Sequence, residues 1–401
     1  MSRRGGWLFL VGLVLLSLNL RPAAVSVGPV LAEVRSGLAM SAAEASLLTT
    51  LPVLAFAVFG ALAPRAAASV GLHRVTLAAL VAVVAGLAGR AVTGSDLAFL
   101  ALSLLAVAGM AMANVLMPSL VKRHAPERIG AVTAVYSTAL AIGLTSALVL
   151  TVPLSEALGG WRGGLGAWAV LAGLALLPWV LLARHDRVAP TPGGPITVGQ
   201  VARTRLGRAM AIFFGVQSLH AYVMFGWFAQ LWRDAGYSPA TAGALVGLLA
   251  GVSIPLSWLL PRLLARSQHQ LRVLVPVIAC YPVAYVGLLV APAGPAVLWA
   301  LLAGVGACTF PLILTLIGLR ARTAEGTAAL SAFTQSAGYL LAATGPFVVG
   351  LLYDATGDWT IPLILLLVLV VPMLGLATWL SRPLVLEDEI EQHAARRSAR
   401  R

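Results

Sequence analysis

One arginine, Arg21, lies deep inside the first long apolar run of the sequence, where a charge is costly. The run begins at Trp7, so Arg21 lies about 14 residues along it, which is about 21 Å at about 1.5 Å per helical residue. An arginine near the centre of a bilayer costs about 3 kcal/mol on insertion scales. Such a cost indicates that the guanidinium has a partner or lies in a water-filled cavity.

The residues around Arg21 favour the cavity. Asn19 precedes it by two residues, Pro22 removes a helical hydrogen bond, and Gly28-Pro29 interrupts the helix again. All fourteen acidic residues lie in predicted loops or at predicted helix ends, so none lies at the depth of Arg21. An unpaired guanidinium offers a planar fork of donors. We therefore predict that Arg21 binds a small anionic or strongly dipolar solute.

Two other interpretations of Arg21 stay open at this point. Its long side chain could snorkel to the outer membrane surface, which lies about 10 Å away. It could instead form a structural ion pair with Glu33 or with another acid at the outer end of the helix.

Other polar residues interrupt the apolar runs and extend the predicted binding site. These residues are Asn19, Asn114, Tyr136, Gln217, His220, Tyr222, Trp227, Gln335 and Tyr339. Gln217 and His220 are three residues apart, and Gln335 and Tyr339 are four apart, so each pair shares one helix face. For each residue the alternative is an interhelical hydrogen bond, which membrane helices use widely.

A coupling proton has three candidate sites. His220 is the only histidine inside a predicted span, and histidine titrates near physiological pH. Glu33 and Glu156 lie near the predicted outer mouth. The lack of mid-span carboxylates leaves no residues for a conventional carboxylate relay. A neutral His220 that is hydrogen-bonded within the bundle is the alternative interpretation.

The composition places these residues in a membrane protein. Of 401 residues, 60% are hydrophobic and 10% are charged, whereas a soluble domain carries about a quarter charged residues. A net charge of +13 would suggest nucleic acid as the partner of a soluble protein, but here the basic residues follow the loops between apolar runs. Cys280 and Cys308 lie in apolar runs as small hydrophobes. No metal, disulfide or cofactor spacing is present.

Apolar runs of about 20 residues predict twelve transmembrane helices. The predicted spans are 7–31, 44–63, 74–93, 97–120, 129–152, 164–183, 208–232, 239–261, 272–291, 296–319, 327–352 and 359–380. The first run could also be a signal peptide. Because it resumes beyond Arg21-Pro22, we interpret it as a retained helix.

The longest connection joins the sixth and seventh spans. It contains Thr191-Pro192-Gly193-Gly194-Pro195, a flexible linker composition. We predict a six-helix bundle over 1–186, a cytoplasmic linker over 187–207, a second six-helix bundle over 208–381, and a charged, mobile cytoplasmic tail over 382–401.

The basic residues fall almost entirely on one side of the predicted spans. Of the 27 Lys and Arg residues, Arg21 lies mid-span and only Arg35, Arg90, Arg162 and Arg233 fall on the other side. Basic loops stay in the cytoplasm. Both termini and the linker are therefore predicted to be cytoplasmic.

An internal repeat divides the spans into two halves. A shift of 197 residues, which becomes 198 after one insertion, overlays loop charges, glycines and tryptophans of the two halves. The pairs are Ser41 with Ser238, Pro64-Arg65 with Pro261-Arg262, Gly109 with Gly306, Arg123 with Arg320, Glu127 with Glu325 and Trp161 with Trp359. Two parallel six-helix halves joined by a long linker are the layout of the major facilitator fold, which binds its ligand between the halves.

The loop between the second and third spans occupies the position of the signature loop of this fold. Arg65 and Arg74 are its candidate gating residues. The signature usually places an aspartate before the arginine, where this sequence has Pro64. The aspartate of the usual gate bond is therefore missing from this position.

Short motifs run from one end of the chain to the other. In the first half they are Leu18-Asn19-Leu20-Arg21-Pro22, Val27-Gly28-Pro29, Asn114-Val115-Leu116-Met117-Pro118, Lys122-Arg123, Tyr136-Ser137 and Gly160-Trp161-Arg162. In the second half they are Gln217-Ser218-Leu219, Tyr222, Gly226-Trp227, Asp234-Ala235-Gly236-Tyr237-Ser238, Leu316-Ile317-Gly318-Leu319-Arg320, Leu330-Ser331, Gln335, Gly338-Tyr339, Gly345-Pro346 and Gly357-Asp358-Trp359. Together these motifs resemble the cyanate permease / 2-nitroimidazole transporter family of the major facilitator superfamily.

The resemblance implies a bacterial inner-membrane carrier of small anions or nitro-heterocycles. Its expected fold is all-α, with twelve transmembrane helices in two six-helix pseudo-repeats. The expected mechanism is secondary active transport by alternating access with proton coupling. The carrier would be a monomer in the lipid bilayer, with a small-molecule substrate and no cofactor.

Three other functions compete with this one. A multidrug or toxic-compound exporter of the same fold is the first. A membrane enzyme would need paired carboxylates or a metal triad, and the sequence has neither. A channel usually repeats one pore element around an axis, whereas this chain has a two-fold repeat.

Overall fold

The computed structural model describes residues 3–184, 186 and 196–398. Within these residues it contains helices and no strand. Twelve of its helices are long and apolar enough to cross a membrane, which confirms the predicted all-α class and the number of spans. The linker composition at 191–195 lies outside the described residues.

We number the twelve helices in chain order. Helix 1 comprises Arg3–Val25, a 3₁₀ turn over Gly28–Val30 and Leu31–Leu38, and helix 2 comprises Ala42–Ala55, a π-helical turn over Phe56–Gly60 and Ala61–Val70. Helices 3 to 7 are Leu72–Val92, Asp96–His124, Ile129–Ala157, Trp161–Arg184 and Arg205–Asp234, with the short helix Val198–Arg203 before helix 7. Helices 8 to 12 are Pro239–Gly251 with Ser253–Arg266, Leu271–Val290, Ala296–Ala307 with Thr309–Leu319, Ala324–Thr356, and Thr360–Leu380. A last helix covers Leu386–Ser398.

Several helices extend beyond the predicted spans. Helix 4 continues through Lys122 and Arg123 to His124, and helix 1 resumes after its break and continues to Leu38. Hydropathy marks only the apolar part of a helix, whereas the hydrogen-bonded backbone continues into its charged ends.

Equivalent residues of the two halves have equivalent structural roles, which confirms the repeat. Ser41 and Ser238 are the N-caps of helices 2 and 8. A Cβ atom added at Gly109 would lie 2.3 Å from an atom of helix 3, and one added at Gly306 would lie 2.7 Å from an atom of helix 9. The same glycine therefore allows the same close helix contact in each half.

Mobility was predicted for the charged tail. Its described part forms a helix, Leu386–Ser398, whose carboxylates contact the bundle. Glu387 accepts a hydrogen bond from the N–H of Thr323 at the start of helix 11 (3.1 Å), and Glu389 accepts one from the N–H of Leu206 at the start of helix 7 (3.1 Å). Carboxylates are stabilised there because the first N–H groups of a helix lack helical partners and carry partial positive charge.

The two halves meet closely at the end of the bundle where the odd-numbered helices begin, which we call the inner end. The hydroxyl of Ser119 in helix 4 donates to the carbonyl of Ala324 in helix 11 (2.6 Å). A Cβ atom added at Gly130 in helix 5 would lie 2.3 Å from the Cβ of Ala265 in helix 8. We call these contacts between the halves the inner seam.

Candidate functional site

A break in helix 1 determines where Arg21 lies. The α-helix ends at Val25, one turn after Arg21, and a 3₁₀ turn follows. Pro22 has no N–H to donate to the carbonyl of Leu18. That carbonyl lies against Gly143 of helix 5, where an added Cβ atom would be only 2.3 Å from the oxygen. The glycine therefore lets helix 5 approach helix 1 closely beside the break.

The Arg21 side chain is half-buried and points at the second half of the molecule. Its guanidinium carbon lies 5.1 Å from the centre of the Phe310 ring in helix 10, a cation–π contact. The guanidinium also interacts with the hydroxyl of Tyr339 in helix 11. It is close enough to the hydroxyl of Tyr222 in helix 7 to interact with it electrostatically. Arg21 thus lies between the halves, where this fold binds its ligands.

Aromatic rings pack around Tyr339 beside the guanidinium. The Tyr339 ring lies 4.2 Å from that of Phe56 in helix 2, 5.0 Å from that of Phe214 in helix 7, and 6.1 Å from that of Tyr222. Phe214 is in turn 6.0 Å from Phe310. We call these five residues with Arg21 the aromatic site. Their faces and edges favour a planar ligand.

Glycines bring helix 7 against helix 11 at this level. A Cβ atom at Gly338 would lie 2.6 Å from the Phe214 ring, and one at Gly215 would lie 2.7 Å from Leu341. Helix 11 therefore places Tyr339 directly on Phe214. A larger residue at either glycine would separate the two rings.

A polar pair lies one helical turn from Tyr339. The amide of Asn114 in helix 4 donates to the amide oxygen of Gln335 in helix 11 (2.8 Å), and Gln335 donates to the hydroxyl of Ser331 (2.8 Å). Both amides are buried. The pair joins the two halves next to the aromatic site.

The π-helical turn of helix 2 also joins the halves. The hydroxyl of Ser336 in helix 11 donates to the carbonyl of Phe56 (2.6 Å), the first residue of that turn. Helical π-turns are frequent at functional sites. Here the turn presents the Phe56 ring to Tyr339 and its carbonyl to Ser336.

Three of the residues predicted for the site, Asn19, Gln217 and His220, form their hydrogen bonds within their own half. The Asn19 amide donates to the carbonyls of Leu15 (2.7 Å) and of Leu171 in helix 6 (3.2 Å). Residues two apart on a helix point about 200° apart, so Asn19 and Arg21 lie on nearly opposite faces. The buried Gln217 bonds its neighbour Ser218.

His220 is enclosed within the second half. Its ring lies 4.6 Å from that of Tyr281 and 5.6 Å from that of Tyr285, both in helix 9. The Nδ1 atom is hydrogen-bonded to the Tyr285 hydroxyl (2.8 Å), and the side chain is fully buried. The arrangement is that of a histidine packed within one half of the bundle.

The remaining predicted residues are dispersed. Tyr136 is buried in helix 5. Trp227 lies near the outer end, where its indole N–H donates to the carbonyl of Pro346 (3.0 Å). Glu33 and Glu156 are exposed near the same end.

The candidate gating arginines, Arg65 and Arg74, are exposed at the inner end. A carboxylate reaches this loop from elsewhere in the sequence. Asp186, beyond helix 6, accepts from the N–H groups of His73 (2.8 Å) and Arg74 (3.3 Å), bonds the His73 ring (2.9 Å), and pairs with Arg123 (3.3 Å). Burial raises the pKa of this carboxyl, but the hydrogen bonds from His73 and Arg74 more than offset it, so its pKa lies below the ordinary 3.8.

Arg21 has no carboxylate partner in the part of the chain that the structure describes. The ion pairs there join His73 and Arg123 to Asp186, and Arg322 to Asp388. The described residues also contain no group of three or more His, Cys, Asp or Glu placed to hold a metal ion. The aromatic site is therefore a cluster of aromatic rings and one cation, with the charge uncompensated by the described protein groups.

Comparisons with known proteins agree with this layout. The Major Facilitator Superfamily profile matches residues 8–346. An uncharacterised transporter, YycB, of Bacillus subtilis (strain 168) is 36% identical over 370 residues, which cover 92% of this chain and 91% of that protein.

Two relatives from Escherichia coli (strain K12) are characterised by their substrates. The 2-nitroimidazole transporter is 35% identical over 90% of this chain and 92% of its own length. The cyanate transport protein CynX is 27% identical over 87% of this chain and 91% of its own length. Their names are those of the family that the sequence motifs resemble.

The fold also matches a solved structure. The proton:xylose symporter XylE superposes with a TM-score of 0.76 at 13% identity, over 98% of this chain and 99% of that one. The twelve helices, the internal repeat and these similarities have one explanation: the chain belongs to the major facilitator superfamily of membrane transporters.

Proposed function

We propose that this chain is a secondary active transporter that carries a small, planar, anionic or strongly dipolar solute across the bacterial cytoplasmic membrane by alternating access. The observation that carries the proposal is the half-buried Arg21 guanidinium, which contacts Phe310 and Tyr339 from the opposite half and forms no ion pair among the described residues. A ligand held there touches both halves, as alternating access requires.

The chemistry of the site favours a planar anion with delocalised electrons. A guanidinium binds a carboxylate or nitro group through two parallel N–H donors. The rings of Phe310, Tyr339 and Tyr222 can stack on the rest of the ligand. The substrates named for the two characterised relatives, 2-nitroimidazole and cyanate, are small and either dipolar or anionic, which supports this class of solute.

The moving parts are proposed to be the two six-helix bundles, over 1–186 and 208–381, acting as a monomer. Both termini are proposed to be cytoplasmic, because most basic residues fall on the side of the spans where the termini lie. The inner seam would then close the cytoplasmic side of the site, and ligand would enter from outside in this state.

Protons are proposed as the coupling ion, on the strength of the family resemblance. Glu33 and Glu156 are accessible candidates at the outer end, and His220 is an enclosed one. Transport by His220→Gln, Glu33→Gln and Glu156→Gln across a pH gradient tests them. A variant that keeps the full pH dependence of the wild type removes that residue from the candidates.

A multidrug exporter is the second candidate function, because an aromatic pocket also suits large apolar compounds. The two candidates differ in the sign of the preferred charge. Arg21 would repel an organic cation, so an exporter of lipophilic cations should bind tetraphenylphosphonium and an anion carrier should not.

Binding to the purified protein tests the proposal. The probes are benzoate, 2-nitroimidazole, cyanate and tetraphenylphosphonium, measured by tryptophan fluorescence and thermal shift. Loss of a charge-assisted bidentate contact costs about 1.5–3 kcal/mol, so Arg21→Gln should weaken benzoate binding about 10- to 150-fold. Arg21→Lys should recover only part of the loss because ammonium lacks the fork.

Arg35→Gln is the matched control, because Arg35 lies exposed in the second segment of helix 1. It should bind as the wild type does. Counterflow in proteoliposomes then separates carrier from channel, since only a carrier is stimulated by unlabelled probe on the far side. Equal benzoate affinity for the wild type and Arg21→Gln would refute the proposed site.

A further inference from the structure

Arg90 is a fully buried arginine without a carboxylate partner among the described residues. It lies in the last turn of helix 3 with no exposed surface. The charge distribution along the sequence places it on the outer side of the predicted spans. The side chain instead turns into the bundle, toward helix 1. A buried charge is costly unless its donors are satisfied, so its partners indicate what it does.

The guanidinium of Arg90 binds the broken part of helix 1. Its Nη1 donates to the carbonyl of Ala23 (3.1 Å), and its Nη2 donates to the hydroxyl of Ser26 (2.6 Å). That hydroxyl donates in turn to the carbonyl of Pro22 (2.6 Å). Two terminal nitrogens therefore hold two points of the chain within five residues of Arg21.

The Ala23 carbonyl is one of the backbone groups that the break leaves available. The last four carbonyls of a helix have no helical N–H partner, and Ala23 belongs to the last turn before Val25. A cation at this end also offsets the partial negative charge of the helix terminus. The planar fork of arginine can reach both acceptors at once, whereas the single ammonium of lysine cannot hold the same geometry.

We propose that Arg90 is a positioning residue: it fixes the end of the first segment of helix 1 and so sets where the Arg21 guanidinium meets the ligand. This inference rests on the proposed function of Arg21. Ala23 follows Arg21 by two residues, so a shift of this last turn moves the base of the Arg21 side chain. Arg90 itself does not touch the ligand.

Arg162 provides a matched control on the same side of the bundle. It donates to the carbonyls of Ala91 (3.4 Å) and Thr93 at the end of helix 3. It therefore caps a helix end as Arg90 does, but it does not contact helix 1 in these hydrogen bonds. Loss of its charge tests the general effect of removing an outer arginine.

Two measurements on the full-length protein test the inference. Hydrogen–deuterium exchange of peptides covering 18–31, without ligand, reports the stability of the break. Transport of benzoate and 2-nitroimidazole in proteoliposomes reports KM and kcat. Arg90→Gln should speed exchange in 22–31 and raise KM about tenfold with kcat changed less than about twofold, since one charge-assisted contact corresponds to about a tenfold change.

Three other variants should change the exchange rate and KM by less than Arg90→Gln does, or not at all. Arg90→Lys should fall between the wild type and Arg90→Gln in both measurements. Ser26→Ala removes one acceptor and should shift both in the same direction by less, which keeps the test available if Arg90→Gln does not fold. Arg162→Gln should leave exchange in 22–31 and KM unchanged.

Three results would overturn the inference. Unchanged exchange in 22–31 with a raised KM would mean that Arg90 acts on the ligand directly. Faster exchange with an unchanged KM would mean that the break does not position Arg21. If the wild type transports neither probe, the proposed function fails, and the role of Arg90 in positioning Arg21 for a ligand fails with it. The exchange comparison then decides by itself whether Arg90 holds helix 1.

Discussion

One added methyl group at the inner seam should shift the conformational equilibrium of the carrier. The Cβ atom of Gly130→Ala would lie 2.3 Å from the Cβ of Ala265 and 2.6 Å from the carbonyl oxygen of Pro261. Carbon atoms in contact are about 3.5–4.0 Å apart, so helices 5 and 8 must separate by at least about 1.2 Å. Overpacking of this kind costs about 1–3 kcal/mol. The closed seam should therefore lose about 5- to 150-fold in population relative to a state in which it is open.

Cysteine labelling measures this shift. Ser257 is buried in helix 8 near the seam, and Ser257→Cys in a Cys280→Ser/Cys308→Ser background gives a single reporter thiol. Its labelling rate by N-ethylmaleimide should rise with Gly130→Ala by about the factor worked out above. Gly173→Ala is the control, because an added Cβ atom there meets nothing within 4 Å.

The result that refutes the reasoning is equal labelling of the two glycine variants. It would mean that helices 5 and 8 absorb the methyl group without opening the seam. Unfolding of Gly130→Ala would also change the labelling rate. A thermal melting curve detects that case, because the curve of a folded variant should stay cooperative.

Three further predictions concern the stability of the purified protein. Asp186→Asn should lower Tm at pH 7. The folded-state pKa of Asp186 is depressed, so its contribution is fully present above the ordinary 3.8 and is lost progressively as the pH falls below that value. The Tm difference from wild type should therefore shrink as the pH is lowered below 3.8, whereas exposed Asp354→Asn should show no difference. Glu387→Gln should lower Tm by several degrees, since it weakens the hydrogen bonds at the start of helix 11 by about 1–3 kcal/mol, and exposed Glu391→Gln should not. Tyr285→Phe should destabilise the protein by about 1–3 kcal/mol because it leaves a buried histidine nitrogen unpaired; an unchanged denaturation midpoint would contradict that.

The sequence was sufficient to single out the polar residues of the aromatic site. Arg21, Tyr222 and Tyr339 stand out because each is a polar group in an apolar helix, and the acid inventory left the guanidinium without a partner. The aromatic walls could not be predicted in the same way. Phe310 and Phe56 are apolar residues in apolar spans, so only the three-dimensional packing distinguishes them from core or lipid-facing rings.

Sequence reasoning also placed some polar residues on the wrong face. Asn19 and His220 lie deep in their spans, but both bond within their own half. A helix inside a membrane bundle is surrounded by apolar groups on nearly every side, so hydropathy does not show which face meets the cavity. Arg90 was hidden for a related reason: it ends an apolar run, and only the structure shows that its long side chain turns inward.

The uncompensated charge of Arg21 has an electrical consequence. With no carboxylate beside it among the described residues, the site carries one positive charge when empty and about none when it holds a monovalent anion. A membrane potential of 100 mV acts on one full charge with about 2.3 kcal/mol. For a monovalent anion carried without a proton, the voltage would therefore act mainly on the return of the empty carrier, whereas a coupling proton would restore one positive charge to the loaded carrier. In both cases an inside-negative potential would favour the empty site that faces the cytoplasm.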